Sequence, residues 1–259
     1  MHAYLVHIQY LGFRFHGWQK QPNVKTVELM LEKTLAHLLG QDRFRIMGAS
    51  RTDAMVSAAG ALVQIFTQAP LDCKPFLKAL NQNLPNDIRV LELAPADPDL
   101  NIRQNPGVKE YLYLFAFGEK IHPFCASLLS GFTEKLDIDL MIQGASLFEG
   151  EHNFIQYCTQ PREKTRVTRR IHLSRIHNQT PFTASFFPEQ VWVFQVRARG
   201  FLRHQVRLMM GQLIELGRHA TTLEALEASL TGENRAPFSY IAPASGLILN
   251  RIDTEGRRA

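Results

Sequence analysis

Two hydrophobic periods alternate along this chain, and they do so twice. Residues 3–10 alternate with a period of two and are rich in β-prone side chains, the pattern of a strand with one buried face. From Thr26 the period changes. Val27, Met30, Leu31, Leu35 and Leu38 recur at helical spacing, with Thr26 placed to cap the start, Glu28 in the first turn and Gly40 at the end. Residues 43–47 and 61–67 read as strands. Pro75 can open a helix through Phe76, Leu77 and Leu80 that stops before Pro85, and residues 88–93 form another strand. A chain that switches period this often must bury helical stripes against sheet faces, which makes its class α+β.

The second half repeats the theme. Residues 94–107 carry Pro95, Pro98 and Pro106 among several acids and read as a linker, dividing the chain into 1–105 and 106–259. Residues 109–117 then form a strand with Tyr111 and Tyr113 on one face. Ile138, Met141, Ile142, Ala145 and Phe148 make a helical stripe before Gly150, and residues 170–176 and 191–199 are strand-like. Gly200 allows a tight turn into a long helix over 201–216, with Val206, Met209, Met210, Leu213 and Ile214 inward and the two methionines filling core gaps. Thr221 with Glu224 has capping-box spacing and starts a last helix over 223–230. The expected architecture is two α+β halves facing each other, their sheets mostly antiparallel, with no short-period repeat.

Charge narrows the partners. Lys and Arg number 29 against 24 Asp and Glu, a net +5 on a chain that is 45% hydrophobic, which is globular rather than disordered composition. No apolar stretch reaches the roughly eighteen residues of a membrane span. The start of the chain lacks a secretory pattern, and three scattered cysteines form neither a disulfide framework nor a zinc motif, so a cytoplasmic setting is expected. The positive charge is uneven. Arg162, Lys164, Arg166, Arg169, Arg170 and Arg175 cluster in the second half, followed by Arg197, Arg199, Arg203, His204 and Arg207, and by Arg251, Arg257 and Arg258. Residues 87–101 are instead acidic. A basic stripe is the footprint of phosphate binding, and it is equally a solvated face that keeps a protein in solution.

No Walker loop, dinucleotide fingerprint, His-Glu-x-x-His, Cys-x-x-Cys or Gly-x-Ser-x-Gly is present, which argues against nucleotide hydrolysis, dinucleotide redox chemistry and zinc proteolysis. His152 and His204 stand apart with no ligand set, so no metal is expected. Trp18 and Phe13 read as loop packing, and Tyr113 as core. The segment that stands out is Ser50-Arg51-Thr52-Asp53-Ala54, between two expected strands. Asp53 is either a turn or cap residue, or a carboxylate kept ionised by a guanidinium and poised as nucleophile or base. Residue types alone leave both open.

Several segments resemble, in order, the TruA family of tRNA pseudouridine synthases. They are Tyr10-Leu11-Gly12 with Phe15-His16-Gly17-Trp18-Gln19, Arg51-Thr52-Asp53-Ala54, Leu80-Asn81 through Leu84-Pro85-Asn86-Asp87-Ile88, Tyr111-Leu112-Tyr113 with Gly150 to Phe154, Ala198-Arg199-Gly200-Phe201 through Arg207 with Gly211, and Ala242-Pro243 with Gly246-Leu247. The resemblance implies two similar α/β-sandwich halves, one continuous sheet with helices on one side, and a central basic cleft. It implies that Asp53 attacks the uridine or its ribose while the glycosidic bond breaks, that Arg207 pairs with Asp53, that Tyr111 stacks on the target base, and that Arg51 fills the gap the base leaves. It implies a tRNA substrate, with the anticodon stem-loop at tRNA uridines 38 to 40 as the family target, a homodimer, and no cofactor. Arg14, Lys20, Arg166, Arg169, Arg199, Arg203 and His204 are the expected RNA contacts. Flipping a uridine out of a stem calls for an aromatic floor and basic grips on phosphate, which matches these residue types.

Three positions depart from the family loop. Ser50 stands for a glycine, Met55 for a glycine and Ser57 for a histidine. Met55 removes backbone freedom or fills space near the base, and Ser57 removes a polar group able to touch RNA. Three readings follow: a synthase acting on tRNA or, as a divergent paralogue, on another uridine or RNA; an RNA-binding protein without catalysis; and a glycosidic hydrolase, which needs a second carboxylate that the sequence does not offer.

Overall fold

The structure, a computed structural model, describes residues 1–41, 43–104 and 107–253. It divides into two units, Met1–Val108 joined by the segment from Leu249 onward, and Lys109–Ile248. Pro106, Arg257 and Arg258 lie outside the described residues.

The first unit is built on β1 (His2–Tyr10), whose buried Tyr4, Val6, Ile8 and Tyr10 face the core. Thr26 caps α1 (Val27–Leu39), its hydroxyl accepting the Leu29 N–H at 3.3 Å, and Gly40 closes it, as the sequence pattern requires. There follow β2 (Phe44–Gly48), β3 (Ser57–Thr67), α2 (Cys73–Asn83) and β4 (Ile88–Ala96). β1 lies antiparallel between β3 and β4, and β2 pairs antiparallel with the far half of β3, from Val63 to Thr67. α2 opens at Cys73, two residues before Pro75. A proline at the third helical position costs no hydrogen bond, because first-turn N–H groups have no partner within the helix. β4 runs to Ala96 and takes in Pro95, so the proline-rich stretch begins inside a strand; β4 ends the strand order, where proline is tolerated.

The second unit holds β5 (Val108–Phe117), β6 (Ser130–Phe132), α3 (Ile138–Ser146), β7 (Gly150–Asn153), β8 (Thr168–His177), β9 (Trp192–Ala198), α4 (Gln205–Gly217) and α5 (Leu223–Ala228). β5 pairs antiparallel with β9, β9 with β8 and β8 with β7, while β6 runs parallel to β5. The core is aromatic. Tyr157 meets Phe148 and Phe154 at ring separations of 5.4 and 5.6 Å, and Met209 and Met210 are fully buried, as gap-filling side chains should be. One last strand, β10 (Leu247–Asp253), crosses the boundary between the units.

Two expected boundaries move. α4 begins at Gln205 instead of residue 201, and the turn into it is made by His204, at φ 61°, rather than by Gly200. Residues 201–204 are held as a turn because the Gln205 side chain accepts the Leu202 N–H at 2.8 Å. The cap of α5 is Thr222, not Thr221. It has the extended backbone of a cap, and its hydroxyl accepts the Ala225 N–H at 3.3 Å. Among the described residues no helix is long and apolar enough to cross a membrane.

Candidate active site

In the first unit the segment 49–56 links β2 to β3 and lies against the segment 11–18. Ala49 N–H donates to the Leu62 carbonyl at 2.9 Å, closing the mouth of the loop. Buried Thr52 sits with its hydroxyl 2.8 Å from the Tyr10 hydroxyl, and its carbonyl accepts the Trp18 N–H at 3.1 Å. Met55 N–H donates to the Phe15 carbonyl at 3.0 Å, and Val56 N–H to the Asp53 carbonyl at 3.2 Å. The two segments approach so closely at Gly12 that a Cβ there would lie 2.0 Å from the Val56 carbonyl oxygen. The Gly12 N–H donates to the Ser57 hydroxyl at 2.9 Å. Asp53 is thereby fixed between backbone bonds on either side. It is half-buried, with Arg51 and Met55 exposed around it.

This arrangement adds one contact and revises one expectation. Ser57 is 2% exposed and fastens the loop to Gly12, its hydroxyl serving as a buried acceptor. Trp18 is buried against Gly48, as expected, but Phe13 is 41% exposed, so loop packing covers it only in part. The segment turns at Gly12–Arg14 in a short 3-10 helix that buries Gly12 and leaves the Phe13 side chain outside.

In the second unit Tyr111 lies on β5, buried, with the Phe201 ring meeting it edge-on at 5.3 Å. Tyr113, two residues on, donates to the Pro243 carbonyl at 2.8 Å and lies 2.9 Å from the Ser130 hydroxyl. Burial pushes its phenol well above the ordinary value, and its role is structural, as expected. Arg207, in the first turn of α4, donates from Nε to the Ala242 carbonyl at 2.8 Å, and Ala242 N–H returns a bond to the Arg207 carbonyl at 3.2 Å. The chain can cross α4 here because Gly211 lacks a side chain; a Cβ would lie 2.5 Å from the Tyr240 carbonyl oxygen. Leu114 N–H reaches the Gly246 carbonyl at 2.8 Å. The closing segment 242–247 thus orients Arg207 and steadies the strand that carries Tyr111. It acts through main-chain carbonyls, which side-chain identity does not reveal. Sequence reasoning also passed over Phe201 and over Lys109, which shares a strand face with Tyr111 by alternation. Burial pushes the Lys109 ammonium down to about 8.

The expected RNA contacts divide by what holds them. Arg14 reaches Asp87 at 2.7 Å and Lys20 reaches Glu32 at 2.5 Å, so each already faces a carboxylate. Arg197, from the same basic stripe, lies 3.6 Å from buried Glu110. Arg203 donates to Gln160 Oε1 at 2.6 Å, and His204 Nδ1 lies 2.8 Å from the Thr159 hydroxyl, tying 159–160 to the start of α4. Half-buried Arg169 donates to the carbonyls of Arg166 and Thr168 at 2.6 and 2.8 Å, and burial and the neighbouring Arg166 hold its guanidinium below the ordinary value. Arg166 and Arg199 are exposed. Among the described residues no three His, Cys, Asp or Glu side chains gather as a metal site.

The α+β fold, with its mostly antiparallel strands, agrees with one family. The chain belongs to the tRNA pseudouridine synthases, whose sequence pattern matches residues 6–103 and 145–254. Those ranges contain the Asp53 loop, Arg207 and the closing segment, while Tyr111 falls between them. The chain is 33% identical over 250 residues to tRNA pseudouridine synthase A of Dictyoglomus thermophilum, covering 96% of this chain and 98% of that protein. It is 32% identical over 253 residues to tRNA pseudouridine synthase A of Bacillus sp. KSM-64, covering 97% and 99%. It is 31% identical over 248 residues to tRNA pseudouridine synthase A of Moorella thermoacetica, covering 95% and 97%.

Proposed function

We propose that this chain isomerises uridine to pseudouridine in tRNA, with Asp53 as the catalytic carboxylate. The target nucleotide leaves the stack, and Asp53 engages the uridine as the C1′–N1 bond breaks. The freed uracil rotates, C5 bonds to C1′, the C5 proton is lost and N1 gains one. No atoms enter or leave the base apart from that proton exchange, so the reaction consumes no cofactor and no energy source. A carboxylate is a competent nucleophile only when ionised, and a guanidinium nearby favours that form; Arg207 takes this role. Tyr111 offers an aromatic face that offsets the stacking lost by the flipped base, and Arg51 occupies the gap left in the RNA. The target is a uridine of the anticodon stem-loop, and the working form is a cytoplasmic homodimer with one tRNA across both copies.

The observation that carries this reading is the anchoring of Asp53. Its loop is bonded to the segment 11–18 through Thr52 and Met55, inside the range that matches the family. A main chain held this firmly around Asp53 reduces the reorganisation needed before its carboxylate reacts. The test uses tRNA tritiated at uridine C5, from which each turnover releases label. Asp53→Asn is expected to lower release by about a thousandfold or more while leaving tRNA affinity and the unfolding midpoint unchanged. Release at the wild-type rate by that variant overturns the assignment.

A further inference from the structure

We propose that Met55 is a further substrate-positioning residue, whose thioether covers the face of a base next to the flipped uridine. The inference rests on the reading of Asp53 given above and adds a contact to it. Met55 holds φ at 66°, in the left-handed region that a residue with a side chain enters at a cost and glycine enters freely. Its N–H bond to the Phe15 carbonyl holds the backbone there. The conformation leaves the side chain 37% exposed, although a methionine gains by burial. Strain combined with an exposed apolar group, two residues from a catalytic carboxylate, is the combination that functional sites retain.

Phe13 strengthens the case. It is 41% exposed on the facing segment, one residue from the close approach of Gly12 to Val56, while Met55 precedes Val56 on the other side. Two exposed apolar side chains therefore stand on two segments that are bonded together beside Asp53. Extruding a nucleotide uncovers the faces of its neighbours, and an apolar cover recovers part of the lost stacking. An unbranched, polarisable thioether adapts to purine and pyrimidine faces alike, whereas Arg51 supplies charge.

The test compares Met55→Gly and Met55→Leu with the wild type on tRNA carrying either a normal or an abasic nucleotide beside the target. Met55→Gly is expected to raise the unfolding midpoint, by removing strain, and to lower kcat/KM by about tenfold or more, the amount one base-stacking contact supports. Met55→Leu, with apolar bulk restored, recovers most of that loss. On the abasic tRNA the wild type and Met55→Gly converge. If Met55→Gly matches the wild type on normal tRNA, or loses activity and stability together, the inference fails. Asp53→Asn run on the same tRNA keeps the two ideas apart. When that variant is dead and Met55→Gly is normal, only the role of Met55 falls; when that variant is active, the Asp53 reading falls.

Discussion

Replacing Ser57 with alanine takes the acceptor away from the Gly12 N–H in a place that water does not reach. An unpaired buried donor costs about 1–3 kcal/mol, so Ser57→Ala is expected to lower the urea midpoint by that equivalent at an unchanged m-value. An unmoved midpoint would show that the bond contributes nothing. At this scale the sequence was legible where a residue's chemistry is unusual for its place. Arg51-Thr52-Asp53 stood out because a guanidinium and a carboxylate adjoin in a loop. The hydrogen bond of Ser57 was not legible because its partner, the Gly12 amide, is 45 positions away and has no side chain to announce it. The cations were legible as charges but not as partners. Arg14 faces Asp87 across 73 positions, a pairing that no local pattern encodes.

Among the elements, β5 has the most testable chemistry. Its Lys109 titrates near 8 in the folded protein against an ordinary 10.5, because burial disfavours the ammonium. The unfolded chain therefore binds the proton more tightly, and between these two values stability rises with pH as the folded-state penalty is relieved. Below about pH 8 the full penalty is present, of the order of 3 kcal/mol from the size of the shift. The stability of Lys109→Met relative to the wild type is expected to fall between pH 8 and 10, as the wild type sheds its penalty. Denaturant titrations of both proteins at the two ends of that window give the answer; a constant difference would refute it. Elements with a sustained period were readable, α1 with its Thr26 cap above all. β6 and β7 have only 3 and 4 residues, too few to establish alternation. The start of α4 was misplaced because Phe201 and Leu202 extend the apolar stripe, while the left-handed backbone of His204 leaves no mark on periodicity.

The molecule as a whole carries +5, and the sequence correctly showed that this excess is uneven. The fold adds that exposure and pairing sort the cations further. Arg162, Lys164, Arg166 and Arg170 are exposed on one short stretch, whereas Arg14 and Lys20 face acids. Four phosphate contacts from that stretch would weaken tRNA binding by about a hundredfold between 50 and 200 mM salt. Arg166→Ala with Arg170→Ala is expected to reduce the slope of log affinity against log salt by about two, while Lys20→Ala changes it little. Equal slopes for all the variants would place the phosphate grip elsewhere.

The first unit draws its strands from both sides of the second in the order of the chain: β10 supplies Leu249 onward, and a Cβ on Gly60 of β3 would lie 2.9 Å from the Asn250 carbonyl oxygen. A ribosome makes β1 to β4 first and the part of β10 from Leu249 onward only after every residue of the second unit. Throughout translation the nascent unit that bears Asp53 is thus short of a strand beside β3, and its sheet keeps an open flank. A chain stalled at any earlier codon holds Asp53 in an unfinished scaffold, so synthesis order itself delays the appearance of a complete Asp53 unit.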